Sequence, residues 1–203
     1  MNEEQAGPPA RRPGRPRSAE AERAILDATL ELLAEQGLEG VTMEAAAARA
    51  GVSKATIYRR WRSRLEMIEA AFQSIDREVR IVETGSVRGD LVTIIGEFGR
   101  ATARTLPPPA LAQMIAVTLA TPELRQLFLR HVFEVRRAAM IAALRRGQER
   151  GEIRTDIDLN LAFAMIIGPI VLSGLLQQPL HPLAILELPL RLVDAVLAGL
   201  TPR

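Results

Sequence analysis

Residues 42–64 read TMEAAAARAGVSKATIYRRWRSR, and this stretch decides how the rest of the chain is understood. Ala45 to Ala48 sets four of the strongest helix formers in a row, with Thr42 where a hydroxyl caps the first turn. Ala50-Gly51-Val52 ends that helix, because Gly51 tolerates the left-handed conformation of a helix C-terminus. Ser53 is placed to cap a second helix from Lys54 through Trp61. Ile57 and Trp61 stand four apart and share an inward face, which leaves Lys54, Thr56, Tyr58 and Arg60 outside. From Ala50 to Arg64 there is no acidic residue, whereas Lys54, Arg59, Arg60, Arg62 and Arg64 are all basic. The pattern is a helix-turn-helix whose second helix suits the major groove of DNA.

This segment resembles the TetR/AcrR family of bacterial transcriptional regulators. The resemblance rests on Thr42, Ala46-Ala47, Ala50-Gly51-Val52-Ser53, Thr56-Ile57-Tyr58, Trp61 and Ser63-Arg64-Leu65, and it extends from Ile25 to Ile68. Ala46 stands where the family usually has a larger aliphatic, Trp61 where it has Phe, and Arg64 where it has Lys. Docking geometry assigns Lys54, Ala55 and Thr56 to base edges, since Lys donates to guanine and the Ala or Thr methyl touches thymine. Thr42, Tyr58, Arg60 and Arg64 are assigned to phosphates, which set register rather than sequence. The resemblance implies contacts at these same positions. Arg59 and Arg62 read equally as contacts or as solvated charges, and Trp61 reads as core.

Composition agrees with an all-α reading. The chain has 203 residues, 48% of them hydrophobic and only 3% aromatic, so its core is built from Ala, Leu, Ile and Val. There is no cysteine, hence no disulfide framework and no thiolate metal site, which suits a cytoplasmic protein. The formal charge of +2 conceals a segregation: residues 1–64 carry 11 basic and 9 acidic side chains, residues 65–203 carry 15 of each. In the first part the acids crowd between Glu20 and Glu44, leaving basic islands at Arg11–Arg17 and Lys54–Arg64.

Residues 1–17 are rich in Pro, Gly and Arg and are expected to form a disordered arm. Arg12, Arg15 and Arg17 suit the narrow minor groove of A·T-rich DNA, or else form a solvated tail that raises non-specific affinity. Ser18 is expected to cap a first helix with Ile25, Ala28, Leu32 and Leu33 as its apolar stripe, closed by Gly37. The DNA-binding domain is placed at 18–64, and a helical regulatory and dimerisation domain at 65–203. That second part opens with a linking helix from Ser63 to about Ile81. Further helices are expected over 87–105, 109–120, 122–150, 159–176 and 188–199, about nine in all. Thr121-Pro122 marks one start, Gly151 one end, and Asp158 another cap.

Leu161 to Leu176 is almost wholly apolar, but it is short for a membrane span and Gly168-Pro169 interrupts it. A helix apolar all round is buried all round, in its own body and against a second subunit. The resemblance implies a four-helix homodimer interface from the last two helices. Ile170, Ser173, Gly174 and Gln177 are then one contact face, and Leu192, Val193, Val196 and Leu200 the other. A two-fold molecule also matches a palindromic operator on double-stranded DNA.

The resemblance further implies a small-molecule effector held in the body. Its candidate lining is Phe98, Leu111, Met114, Ile115 and Phe128, with Phe133, Met140, Phe163 and Ile167. The same residues read as ordinary core. Arg104, Gln113 and His131 are the candidate polar anchors. Such a lining favours an apolar or aromatic ligand. No cofactor is expected. An enzyme is disfavoured, since the only histidines are His131 and His181 and no nucleophile–base set or phosphate loop appears. A metal sensor is disfavoured because those histidines lack ligand spacing. The alternative to a ligand-released repressor is an architectural DNA binder that uses the head and the Arg-Pro arm and senses nothing.

Overall fold

The structure, a computed structural model, describes residues 16–76, 83–176 and 187–200; the side chains of 16–18, 76, 173–176 and 187–189 lie outside that description. Every regular element among the described residues is helical. The first four are α1 (Pro16–Gly40), α2 (Met43–Arg49), α3 (Lys54–Tyr58) and α4 (Arg64–Asp76). Helix α1 starts at Pro16, two residues before Ser18, with proline in the first turn where its missing N–H costs nothing. Gly37, at φ 69°, breaks its regular course. Ile25, Ala28, Leu32 and Leu33 are buried as their spacing predicts.

Thr42 caps α2 by accepting the Ala45 N–H at 3.0 Å. The far end closes on Gly51, at φ +65°, with the Val52 N–H donating to the Ala47 carbonyl at 3.0 Å. Regular helix in α3 stops at Tyr58 rather than Trp61, although the Trp61 N–H still reaches the Ile57 carbonyl. Ser53 does not cap this helix through its side chain. Its hydroxyl meets the Thr56 hydroxyl at 2.9 Å instead.

The body comprises α5 (Val87–Ala103), α6 (Pro108–Ala120), α7 (Pro122–Phe128), α8 (Glu134–Glu149), α9 (Leu159–Leu176) and α10 (Glu187–Leu200). The single helix expected over 122–150 is interrupted by one π turn, Leu129–Phe133, where the Glu134 N–H reaches back to the Leu129 carbonyl. No hydrophobic periodicity announces such a turn. Thr121 precedes Pro122 as expected, but its hydroxyl donates to the Val117 carbonyl and closes α6 rather than capping α7. Gly151, at φ 75°, ends α8, and the Asp158 carboxylate accepts the Asn160 and Leu161 N–H groups at the start of α9. Gly147 lets α8 approach α5 closely, since an added Cβ would lie 2.9 Å from the Val87 Cβ.

Two cores result. The proximal one joins α1–α4 to Leu106, Met114, Leu124, Phe128 and Val132 of the body. Packing is therefore continuous across residue 64, the boundary drawn from sequence. The distal core joins Leu91 and Ile94 of α5, Met140 and Leu144 of α8, Phe163 and Ile166 of α9, and Val193 and Val196 of α10. Phe133 packs against both. At the base of the distal core Asp90 is fully buried, accepting the Thr84 N–H at 2.7 Å, the Thr84 hydroxyl at 2.8 Å and an Arg146 N–H at 3.0 Å.

Candidate nucleic-acid interface

Helix α3 is positioned by its inner face. Ile57 is fully buried and Trp61 nearly so, in the same core as Ala46 and Ala47. That anchoring turns Lys54, Ala55, Tyr58 and Arg59 outward, all exposed, with Tyr58 at 52% despite its aromatic ring. Thr56 is half-buried, its hydroxyl engaged with Ser53.

The basic stretch is not left uncompensated, however, because acids far back in sequence fold against it. Glu44, in the first turn of α2, accepts the Tyr58 hydroxyl at 3.2 Å and lies 3.6 Å from the Lys54 ammonium. Arg60 is only 22% exposed; it donates to the Thr56 carbonyl and lies 3.9 Å from Glu22 of α1. This corrects its expected outward position: the side chain leans back onto α1. Arg64 donates to the Leu38 carbonyl at 3.4 Å and sits 3.7 Å from Glu39, where a cation satisfies the end of α1. Arg49 ties α2 to α1 through Glu35 at 2.7 Å. The bond from its own backbone N–H, and next that from Tyr58, holds the Glu44 carboxyl below its ordinary value, with Lys54 adding to the effect. The same contact pushes the Tyr58 phenol up, so it remains a donor at neutral pH. Arg12 and Arg15 lie outside the described residues; Arg17 falls in the first turn of α1, its side chain likewise outside.

The head is joined to the body through α1, which packs on α6 and whose Asp27 accepts the Thr105 hydroxyl at 2.8 Å, and through α4. Phe72 meets Phe128 edge-on with centroids 5.8 Å apart, and Glu69 bonds His131 of the π turn at 2.7 Å. His131 thus has a partner in the linking helix, which its isolation in the sequence did not reveal.

Residues 25–71 match the family described as bacterial regulatory proteins, tetR family, and residues 81–196 match the tetracyclin repressor-like C-terminal domain. The chain belongs to the TetR family of transcriptional regulators. It is 33% identical over 161 residues to a DNA-binding transcriptional repressor TetR of Mycobacteroides abscessus, covering 76% of this chain and 84% of the relative. It is also 33% identical over 159 residues to an uncharacterized HTH-type regulator of Bacillus subtilis, covering 77% and 79%. The fold is shared with the fatty acid degradation regulator FadR of Bacillus halodurans at a TM-score of 0.71, 22% identity, and coverage of 95% and 100%. These TetR-family relatives are regulators rather than enzymes. No helix among the described residues is long and apolar enough to cross a membrane.

The family fold also shows where the body departs from expectation. Val193, Val196 and Leu200 are buried in their own distal core, so they do not form an outward dimer stripe. With Leu197 they share one face of α10, and that face is claimed by α5 and α9. Leu192 and Ile170 are half-buried, Ser173 and Gly174 are described in backbone alone, and Gln177 lies outside the described residues. The outward apolar face is a different set, Leu161, Ala164, Met165, Gly168 and Leu172 on α9; the exposed side of α10 is mixed, with Ala195, Ala198 and Gly199 beside the charged Arg191 and Asp194.

The nine candidate lining residues divide between the two cores. Met114 and Phe128 fill the proximal core, Met140 and Phe163 the distal one, because an aromatic-poor interior needs its few large side chains as packing. Phe98, Leu111, Ile115 and Phe133 are half-buried against the proximal core, and Phe133 and Ile167 against the distal one. Of the anchors, Gln113 and Arg104 are exposed and His131 is engaged with Glu69. A cleft of about 290 Å³ does open, but between α1, α4 and the end of α5, against Leu26, Asp27, Leu30, Ile75, Thr102 and Leu106. None of those was singled out beforehand.

Proposed function

We propose that this TetR-family protein is a homodimeric repressor that binds a palindromic operator through α3 and is released by a small apolar or aromatic molecule. The observation that carries the reading is the division of α3: Ile57 locked in the core, Lys54, Ala55 and Tyr58 presented outward together. A helix held by one face and polar on the other can enter a major groove without disturbing its own fold.

Dimerisation is supported by the outward stripe of α9, where Leu161 is 59% exposed, Met165 46% and Leu172 47%. Apolar side chains repeating along one helix face call for a cover. Small residues on the adjacent face of α10 permit close approach of a symmetry mate. In this reading the effector sits at the seam between the two cores, a choice supported by the partial burial of Phe98, Leu111, Ile115, Phe133 and Ile167. Separating those side chains would act on α4 through Phe128 and His131, and so on the spacing of the heads. FadR of Bacillus subtilis, a protein of this fold at a TM-score of 0.69 and 23% identity, was solved in complex with stearoyl-CoA.

The test is selection of binding sites from random duplexes by the purified protein, followed by footprinting and a salt titration. An inverted repeat protected on both halves, with affinity falling steeply as salt rises, is the expected result. Enrichment of a lone half-site, or a flat salt dependence, would refute the dimeric operator reading.

A further inference from the structure

Glu44 is an acid in contact with two side chains, Lys54 and Tyr58, that the sequence assigns to a base edge and a phosphate. A single oxygen of its carboxylate, Oε1, accepts from the Tyr58 hydroxyl at 3.2 Å and faces the Lys54 ammonium at 3.6 Å. A phosphodiester oxygen offers the same charge and accepts from the same two donor types. The three side chains are well exposed, Lys54 at 65% and Glu44 at 47% of their side-chain surfaces, so a duplex has access to all of them. Exposed pairs of this kind add little to folding stability. The contact matters more for binding, because it occupies two donors that DNA needs.

We propose that Glu44 is a built-in phosphate mimic: its carboxylate holds Lys54 and Tyr58 in the free head and is displaced by a DNA phosphate on binding, so it sets the affinity of the head for any duplex. The inference rests on the DNA-binding reading of α3 and deepens it. Glu44 is held in its charged form by its own backbone N–H, Tyr58 and Lys54, and is therefore a competitor throughout the neutral range. The competition is local. Unlike the long-range repulsion of any acid near DNA, it acts through two named side chains and disappears when they do.

The experiment compares wild type with Glu44→Gln on two probes: a mixed-sequence duplex three helical turns long, and the operator recovered by selection with the wild-type protein. Glu44→Gln is expected to tighten both by about threefold per head, roughly tenfold for a two-headed molecule, as releasing a weak surface pair allows. The salt slope should steepen by up to about one per head, as the Lys54 charge, no longer neutralised by Glu44, adds to what the head sets against the duplex. In a Lys54→Met/Tyr58→Phe background the same Glu44→Gln change is expected to gain less than half as much. Glu123→Gln, an exposed acid of α7, controls for net charge and should leave binding unchanged. Unchanged affinity in Glu44→Gln would overturn the proposal. So would an equal gain in the double-variant background, which marks general repulsion, or weakened operator binding alone, which marks a base contact by Glu44. If wild type binds neither duplex with salt-dependent affinity, the DNA-binding reading itself fails, and that outcome is separate from these.

Discussion

Replacing Asp90 by Asn tests whether the buried ion pair with Arg146 holds the body together. The Asp90 side chain is fully enclosed, with one oxygen accepting from both Thr84 donors and the other accepting from Arg146 Nη2 at 3.0 Å. Asn keeps the shape and one carbonyl oxygen, so the Thr84 bonds survive. Its amide then points N–H groups at the Arg146 guanidinium, donor against donor. Breaking one side of a buried pair costs about 3–5 kcal/mol. Arg146 remains 21% exposed and has Glu83 at 3.8 Å, so some of its charge is still compensated. The expected loss is therefore at the lower end, about 3 kcal/mol. Urea denaturation at fixed protein concentration should register it as a midpoint shift of about 1 M, given slopes of about 2–3 kcal/mol/M for chains of this size.

Titration gives the same pair a signature. Burial pushes the Asp90 carboxyl up, but the Thr84 N–H, Arg146 and the Thr84 hydroxyl outweigh it and hold it below the ordinary value. A group depressed in the folded state contributes its stability above the unfolded pKa and loses it as pH falls through the folded one. The gap between wild type and Asp90→Asn should thus be full above about pH 5 and close as pH falls below about 4. Adding Arg146→Met to Asp90→Asn should cost less than the two single changes together, because no orphaned cation remains. A loss below about 0.5 kcal/mol at neutral pH, the scatter of ordinary surface changes, would refute the reasoning.

Tyr58→Ala should weaken operator binding about tenfold in a fluorescence anisotropy titration while the melting temperature stays within a degree or so, since only an exposed bond to Glu44 is lost. Arg60→Ala should lower both, by about 1 kcal/mol in stability, because this half-buried side chain also bonds the Thr56 carbonyl. Equal effects of the two changes on folding would contradict their different placement. Met165→Glu, on the outward stripe of α9, puts an unpaired charge where the symmetry mate is proposed to sit, and should raise the dimer dissociation constant at least about a hundredfold in sedimentation. An unshifted dimer would move the interface elsewhere.

The sequence by itself determined the helices, most of their ends and the buried face of α3. Those signals act within four or five residues: Thr42 on Ala45, Gly51 at a left-handed turn, Asp158 on Asn160, Ile57 and Trp61 on one side of a helix. The periodicity of α9 and α10 likewise announced helices with apolar surface to cover. Only the tertiary structure decided which face α10 turned inward and which acids met which bases. Val193, Val196 and Leu200 could serve a partner or their own core until α5 and α9 were placed against them. Glu44 precedes Lys54 by ten residues and Tyr58 by fourteen, and Glu22 precedes Arg60 by thirty-eight, so no local spacing pairs them. A charge is local in sequence, but its field acts through space. The stretch from Ala50 to Arg64 is free of acids along the chain and lies beside them in the fold.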